Sequence, residues 1–323
     1  MENDLSKVLF LVQKEQRVIL DRLYEGITKN ISTDIHWLTS ADQDDLKGYF
    51  KRNIKLENYD RVIFFLRFKK ELRQVNFIRT IPNLVILEHD AYQNYILCKY
   101  TGKFSSYYKK LPWDRVLTSG AVVTRRLQEE GVDGVFVRKG YDQELLRNLE
   151  QPRDIELGFI GSTKSVAYSQ RREFLEKLSE KENLLATRTK SGDEYLLTLN
   201  RIRFFVGADI GMGEYMIKNF EAMACGCVLF AYDQGQEENE ALGFIDMHNI
   251  VLYTTLEDFR SKLSLLREDN DLAERIATNG QALVESKYSF AEIGKQIVDS
   301  LKAPLREHQA PSVWQKILNF CGF

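Results

Sequence analysis

The segment 211–226 holds the residues best suited to chemistry in this sequence, and it follows an apolar strand predicted at 203–209. Gly211 and Gly213 carry no side chain, so the backbone can approach a ligand closely at these positions. A helix expected to begin near Glu214 would present free N–H groups and its positive dipole end to an anion. A strand, a glycine turn and a helix in this order predict a cradle for the diphosphate of a nucleotide.

Two charged residues of this segment, Lys218 and Glu221, are three positions apart and therefore share one helical face. A lysine can neutralise phosphate, and a carboxylate can accept hydrogen bonds from the two vicinal hydroxyls of a ribose. Tyr215 and Asn219 lie beside them and complete the candidate donor contacts. A helix with one charged face is in most proteins simply solvated, so the pattern alone leaves both interpretations open.

The stretch 220–228 reads Phe-Glu-Ala-Met-Ala-Cys-Gly-Cys-Val and resembles the core of GT-B glycosyltransferases that carry an E-x(7)-E motif. Lys218 stands where the CgeB-like members of this group usually carry arginine. The resemblance implies that Glu221 contacts the ribose of a nucleotide-sugar donor. The first glutamate of the motif would fall at Gly213, and Glu214 follows one place later. Glu214 is therefore the candidate for a catalytic contact with the sugar, and the alternative is that this role is absent.

A second stretch, 158–175, resembles the strand end and the helix that open the second domain in the same group. Hydroxyl groups, backbone N–H groups and positive charges in this stretch could meet a donor phosphate. The candidate donor-binding residues here are Gly161, Ser162, Thr163, Lys164, Arg171 and Arg172. Glycine turns with scattered basic residues are common in α/β proteins, so each basic residue could equally be structural.

In the N-terminal half, the sequence Glu88-His89-Asp90 closes an apolar strand predicted at 84–87. Ligands of parallel sheets bind at the carboxyl ends of the strands, which favours these residues as part of a site. His89 is a candidate to stabilise charge or contact the transferred sugar, and Asp90 is a candidate to help deprotonate an acceptor hydroxyl. The alternative is that Asp90 caps a helix, because aspartate readily accepts hydrogen bonds from free N–H groups.

Short apolar runs recur between helical segments, as expected for parallel sheets covered by helices on both faces. In the first half we predict strands at 8–11, 62–66, 84–87, 116–118 and 135–137. In the second half we predict strands at 157–160, 184–185, 204–206, 228–231 and 250–253. Two similar sheets in succession predict an α/β protein with two domains and a cleft between them. The resemblance, which covers about 114–298, implies the GT-B fold with two Rossmann-like domains.

We expect an acceptor domain at 1–145, a donor domain at 152–303 and a C-terminal helical piece at 304–323. The C-terminal piece carries an apolar stripe formed by Trp314, Ile317, Leu318 and Cys321. The stripe predicts a helix docked on the protein itself, and peripheral contact with a membrane is the alternative.

Charge and cysteine content argue against a nucleic-acid-binding, disulfide-bonded or metal-binding protein. A net charge of -2 over 323 residues gives no electrostatic footprint for nucleic acid. Four scattered cysteines predict neither a disulfide nor a metal site. The N-terminus lacks the pattern of a signal peptide and the sequence lacks a spanning segment, which predicts a cytoplasmic location, with the inner face of the membrane as a possible place of contact.

The predicted function is therefore transfer of a hexose-type sugar from a UDP- or GDP-linked donor to a glycan or lipid-linked acceptor. The resemblance implies retention of the anomeric configuration, no metal or other cofactor, and a place in the synthesis of surface polysaccharide or lipopolysaccharide. Two alternatives remain open: a GT-B protein that binds nucleotide sugars without transferring them, and a nucleotide-sugar isomerase. The sequence does not indicate an oligomeric state.

Overall fold

The structure, a computed structural model, describes residues 5–15 and 20–308. The C-terminal helix predicted around Trp314 lies outside the described residues. The first half contains β1 (Val8–Gln13), α1 (Asp21–Thr28), β2 (Thr33–Leu38), α2 (Ser40–Asp44), α3 (Leu46–Asn53), β3 (Arg61–Phe65), α4 (Phe68–Glu71), α5 (Val75–Ile78), β4 (Leu84–Glu88), α6 (Lys103–Tyr108), β5 (Arg115–Thr118), α7 (Ala121–Glu129) and β6 (Asp133–Phe136). The second half contains β7 (Ile155–Ile160), α8 (Ser169–Ser179), β8 (Leu184–Thr187), α9 (Asp193–Arg201), β9 (Ile202–Gly207), α10 (Ile217–Ala224), β10 (Val228–Tyr232), α11 (Gln236–Leu242), β11 (Val251–Tyr253), α12 (Leu256–Glu268), α13 (Asn270–Lys287) and α14 (Phe290–Lys302).

The strands form two parallel sheets. The first has the order β2-β1-β3-β4-β5-β6, and the second has the order β11-β10-β9-β7-β8. Each strand predicted from an apolar run coincides with an observed strand, and of the strands within residues 5–15 and 20–308 only β2 was not predicted. Helices cover both faces of each sheet, and separate hydrophobic cores lie on the two faces. This burial on both faces explains why the strands read as continuous apolar runs.

The chain crosses between the domains at two places that lie side by side. The N–H of Tyr141 donates to the carbonyl of Tyr288 at 2.9 Å, and the N–H of Phe290 donates to the carbonyl of Tyr141 at 2.9 Å. A Cβ on Gly140 would lie 2.4 Å from the carbonyl oxygen of Tyr288, so only glycine allows the two crossings to approach this closely. The paired crossings fix the two sheets relative to one another.

The last described helix, α14, packs on the N-terminal domain. Phe290, Ile293 and Ile297 join the core formed by β1 and α1. A Cβ on Gly294 would lie 2.3 Å from a backbone carbon of Gly26, so the two helices cross in close contact. The C-terminal end of the predicted donor domain, 152–303, therefore includes a helix that packs on the other domain. The sequence of α14 does not encode which sheet supplies its partner.

Candidate active site

A cavity of about 810 Å³ lies between the carboxyl ends of the two sheets. The residues that follow β1, β3 and β4 build its N-terminal wall. The residues that follow β7, β8 and β9, together with the start of α10, build its C-terminal wall. Parallel α/β sheets bind ligands at this edge, so the cavity is the candidate active site.

Asp209, which follows β9, organises the C-terminal wall. Its carboxylate accepts hydrogen bonds from the N–H of Met216 at 3.0 Å and from Nδ2 of Asn219 at 2.7 Å. The same carboxylate forms an ion pair with Arg171 at 2.6 Å. Asp209 therefore anchors the first turn of α10 and holds a guanidinium group against the cavity.

The prediction that this helix begins near Glu214 is wrong. It begins at Ile217, because the chain from 210 to 216 forms a loop in which Gly211 and Gly213 adopt φ angles of 74° and 73°. Residues other than glycine rarely adopt this left-handed conformation. The loop sets the start of α10 at the cavity and moves Glu214 out of the helix.

Basic side chains gather on the C-terminal wall. Arg171, Arg188, Lys190 and Lys218 all line the cavity. Burial lowers the pKa of the Lys218 ammonium group, Glu221 opposes this shift, and the positive charges of Arg171 and Arg188 add to it. Several cations next to the first turn of a helix are suited to the charge of a diphosphate.

Glu221 and Lys218 lie together on the cavity wall, as the sequence predicted. The hydroxyl of Tyr195 donates to Oε2 of Glu221, and Nζ of Lys218 lies 4.4 Å from the centre of the Tyr195 ring. Burial raises the pKa of the Glu221 carboxyl group, while Lys218 and the Tyr195 hydroxyl lower it. A carboxylate and an ammonium group therefore share one buried tyrosine at the edge of the cavity.

The N-terminal wall presents the acidic residues Glu88 and Asp90 on either side of His89. Oε1 of Glu88 accepts the N–H of Asp90 at 2.7 Å. Burial raises the pKa of Glu88 well above its usual range, and the negative charge of Asp90 adds to this. Burial also raises the pKa of Asp90, but the positive charge of Lys139 and a hydrogen bond with the Gln93 side chain oppose this shift. Asp90 therefore carries negative charge more readily than Glu88.

His89 is held as a neutral imidazole. Burial, assisted by the positive charge of Lys139, lowers its pKa to about 3. Its Nε2 atom is buried and has no hydrogen-bond partner within the described part of the chain. Asp90 precedes a short 3-10 turn, Ala91–Asn94, and its side chain accepts no capping hydrogen bond from that turn. The geometry thus favours a cleft-facing role for Asp90 over capping.

Glu214 lies outside the cavity lining and joins the two domains. Its Oε1 accepts a hydrogen bond from Nζ of Lys139 at 2.6 Å, and its Oε2 accepts one from Oγ of Ser119 at 3.3 Å. Only 1% of the Glu214 side chain and 5% of the Lys139 side chain are exposed. A Cβ on Gly120 would lie 2.5 Å from Oε2 of Glu214. In this structure the Glu214 carboxylate forms an interdomain contact, and its catalytic contact with the sugar stays a prediction.

The structure brings one group of the predicted site residues to the cavity and leaves another group outside it. The cavity is lined by His89, Asp90, Gly161, Ser162, Arg171, Lys218, Asn219 and Glu221. The residues outside its lining are Thr163, Lys164, Arg172, Gly211, Gly213, Glu214 and Tyr215. Tyr215, for example, donates its hydroxyl to Asn239 in the core of the C-terminal domain. For this second group the donor-binding role stays a prediction.

Sequence reasoning missed several residues of the site. Arg188 and Lys190 lie in a basic, glycine-bearing loop directly after β8, which is a signal that the sequence does contain. Tyr195, on α9, and Lys139, at the first crossing, carried no local signal because nothing in their neighbourhood marks them as facing a cleft. Asp209 belonged to the predicted strand end, where a carboxylate does not suggest a phosphate cradle.

Comparison with known proteins identifies the family. A family model described as glycosyl transferase-like matches residues 138–299, which is half of the chain. The chain belongs to this glycosyl transferase-like family. The matched region of this glycosyltransferase-like protein runs from the first crossing to α14 and includes the whole C-terminal wall of the cavity. No curated protein matched the chain.

Solved structures similar to this glycosyltransferase-like protein show the GT-B fold. HepE from Anabaena, in complex with UDP and glucose, has a TM-score of 0.65 and 14% identity over 93% of this chain and 100% of that one. A glycosyltransferase from Rickettsia africae has a TM-score of 0.62 and 11% identity over 93% and 98% of the two chains. TarM from S. aureus, in complex with fondaparinux, alpha-GlcNAc-glycerol and UDP, has a TM-score of 0.57 and 13% identity over 79% and 58%. The two-domain GT-B architecture predicted from the sequence is confirmed.

Within residues 5–15 and 20–308, the structure has no helix whose length and apolar character would let it cross a membrane. The predicted contact between a C-terminal helix and a membrane concerns residues outside this part of the chain.

Proposed function

We propose that this protein transfers a hexose-type sugar from a nucleoside diphosphate sugar to a hydroxyl group of a glycan or lipid-linked acceptor. The observation that carries the proposal is that Glu221 and Lys218, both on α10, line the same cavity as Asp90 of the N-terminal domain. A carboxylate for ribose and a cation for phosphate match the two polar parts of such a donor. UDP is the favoured nucleotide, since HepE and TarM are both seen with UDP.

Each wall has a part in the reaction. The bond between the anomeric carbon and the diphosphate breaks, and a bond from that carbon to the acceptor oxygen forms. The acceptor proton passes to Asp90, and the nucleoside diphosphate leaves. Negative charge develops on the leaving group, where Lys218, Arg188 and the first turn of α10 stabilise it. Retention of the anomeric configuration, and with it approach of the acceptor on the face of the sugar from which the diphosphate leaves, belongs to the proposal through the E-x(7)-E resemblance alone. The same holds for a place in surface polysaccharide or lipopolysaccharide synthesis.

Donor binding and turnover test the proposal together. Uridine and guanosine diphosphates and their sugars would first be screened for thermal stabilisation, which grows with ligand concentration relative to Kd. The sugar that stabilises the protein most would then be incubated with glycan acceptors, and the products analysed. A glycosylated acceptor and released nucleoside diphosphate support transfer. Binding without turnover would instead indicate a nucleotide-sugar-binding protein, and an altered sugar still attached to its nucleotide would indicate an isomerase.

We expect a chelator to leave transfer intact. In the proposed complex Lys218, Arg188 and the dipole of α10 neutralise the leaving group, so that no divalent cation is needed for this purpose. The measurement is the initial rate with and without EDTA. Loss of turnover that manganese or magnesium restores would contradict this part of the proposal.

Replacing Glu221 with alanine should weaken donor binding by roughly one to two orders of magnitude. A charge-assisted hydrogen bond is worth about 1.5–3 kcal/mol, and the variant loses such bonds to the ribose hydroxyls. Calorimetric titration of Glu221→Ala with the best nucleoside diphosphate measures the change. Glu173→Ala is the matched control, because Glu173 is an exposed glutamate of the same domain that pairs with Lys177 on the surface of α8. Equal affinities of Glu221→Ala and the control would place the ribose elsewhere.

A further inference from the structure

Tyr195 is a buried tyrosine whose hydroxyl and ring face both contact residues of the candidate donor site. It lies on α9, is 7% exposed and lines the cavity. Its hydroxyl donates to Oε2 of Glu221 at 2.5 Å. The ammonium group of Lys218 lies over the face of the Tyr195 ring, with Nζ 4.4 Å from the ring centre. One rigid side chain therefore contacts the carboxylate and the cation that the donor is proposed to use.

The hydrogen bond fixes how Glu221 meets a ligand. A free carboxylate rotates about its last bond, and each of its oxygens can accept from several directions. The hydrogen bond from the Tyr195 hydroxyl to Oε2 restricts this rotation, and it thereby limits the directions in which Oε1 can point. Burial raises the pKa of the Tyr195 hydroxyl well above its usual range, so this group keeps its proton and acts as a donor. The hydroxyl also opposes the burial that raises the pKa of Glu221.

The ring has a separate effect on Lys218. A lysine has four rotatable side-chain bonds and loses conformational entropy when a ligand orders it. Attraction between an ammonium group and an aromatic face restricts these rotations before a ligand arrives. Lys218 is held in this way three residues from Glu221, so the spacing between the cation and the carboxylate is set in advance.

We propose that Tyr195 is a positioning residue that orients Glu221 toward the ribose hydroxyls and Lys218 toward the diphosphate of the donor. This inference rests on the proposed function of the cavity and adds to it the residue that sets its geometry. In this role Tyr195 acts through Glu221 and Lys218 rather than on the reacting atoms. Its two contacts are chemically separable, because phenylalanine keeps the ring and loses the hydroxyl, whereas leucine loses both.

Deoxynucleotides separate positioning from a merely structural role. Kd would be measured by calorimetry for UDP and 2′-deoxy-UDP, or for the guanosine pair if wild-type protein binds GDP more tightly. Wild-type protein should prefer the ribonucleotide on the order of tenfold, the value of a hydrogen bond to a charged group. In Tyr195→Phe this preference should fall to about threefold or less, while the affinity for the deoxynucleotide stays within about twofold. In Tyr195→Leu the affinity for both diphosphates should fall further, because Lys218 also loses its support.

Tyr288→Phe is the matched control. Tyr288 is a fully buried tyrosine of the C-terminal half whose hydroxyl donates to the carbonyl of Leu242, away from the cavity lining. This variant should keep the wild-type preference for ribose. An undiminished ribose preference in Tyr195→Phe, or an equal loss of affinity for both nucleotides, would overturn the inference and leave the proposed function standing. Wild-type protein that binds neither UDP nor GDP would overturn both.

Discussion

Replacing Lys139 with methionine should lower the free energy of unfolding by about 3–5 kcal/mol. The variant keeps most of the side-chain volume but leaves Glu214 buried without its cation. Burial already raises the pKa of Glu214, and Lys139 is the first group to oppose that shift. Chemical denaturation of the two proteins measures the difference. A loss below about 1 kcal/mol would mean that this ion pair does not hold the domains together.

A double variant and a surface variant complete the test. Lys139→Met combined with Glu214→Leu removes both charges, and apolar pairs of similar volume often replace buried ion pairs at little cost. The double variant should therefore be more stable than Lys139→Met alone. Lys177→Met breaks the exposed pair with Glu173 and should change stability by no more than about 0.5 kcal/mol.

The deficit of Lys139→Met should depend on pH in a defined direction. Without Lys139 the pKa of Glu214 in the folded protein rises further above its unfolded value. The folded state then binds more protons than the unfolded state between these two pKa values, so stability increases as pH falls through that window. The difference between the variant and the wild type should shrink from neutral pH toward the ordinary carboxyl range. A deficit that is independent of pH would point to lost packing rather than to an uncompensated charge.

A second contact crosses the same domain boundary. Oε2 of Glu238 on α11 accepts the N–H of Val122 at the start of α7, at 3.1 Å. Negative charge is favourable at a helix N-terminus. Burial nevertheless raises the pKa of Glu238 to about 7. Glu214 and Glu238 thus both reach from the C-terminal domain into the N-terminal one and make contacts across the same boundary.

The sheets could be predicted from the sequence because strands that are buried on both faces consist of continuous apolar residues. β2 escaped prediction since its sequence, Thr-Asp-Ile-His-Trp-Leu, mixes polar and apolar residues. This strand pairs with β1 at the edge of the sheet, and most of its residues are only partly buried. The placement of α14 on the N-terminal domain was equally beyond the sequence, because an apolar stripe does not specify its partner.

The position of Lys218 and Glu221 at the cavity could be expected from the sequence, because family resemblance and helix periodicity agreed there. That Lys218 and Glu221 share one face of α10 depends only on their spacing of three residues, which is a local property. Glu214 was misplaced because its position depends on the left-handed turns at Gly211 and Gly213, whose exact path no local rule provides. Tyr195 and Lys139 reach the cavity through tertiary packing, so their roles became visible only once the two sheets faced each other.

Replacing Asp90 with asparagine should lower the rate of transfer by about 10²–10⁴-fold, the usual contribution of a general base. The amide keeps the size of the side chain but cannot take the acceptor proton. Donor affinity should stay unchanged, because Asp90 lies on the wall opposite Glu221 and Lys218. The wild-type rate should rise with pH through the raised pKa of Asp90, and this rise should disappear in the variant. The measurements are the pH profile of transfer and a calorimetric titration with the nucleoside diphosphate.

Glu88→Gln separates the roles of the two neighbouring acids. Burial raises the pKa of Glu88 well above its usual range, which favours the protonated form of this side chain, and glutamine imitates that form. The glutamine oxygen can still accept the N–H of Asp90, which Glu88 accepts at 2.7 Å. Glu88→Gln should therefore retain most of the activity and the shape of the pH profile. If Glu88→Gln were inactive and Asp90→Asn active, the roles of the two acids would be exchanged. Glu88 would then be the base that takes the acceptor proton, and Asp90 would be the protonated neighbour.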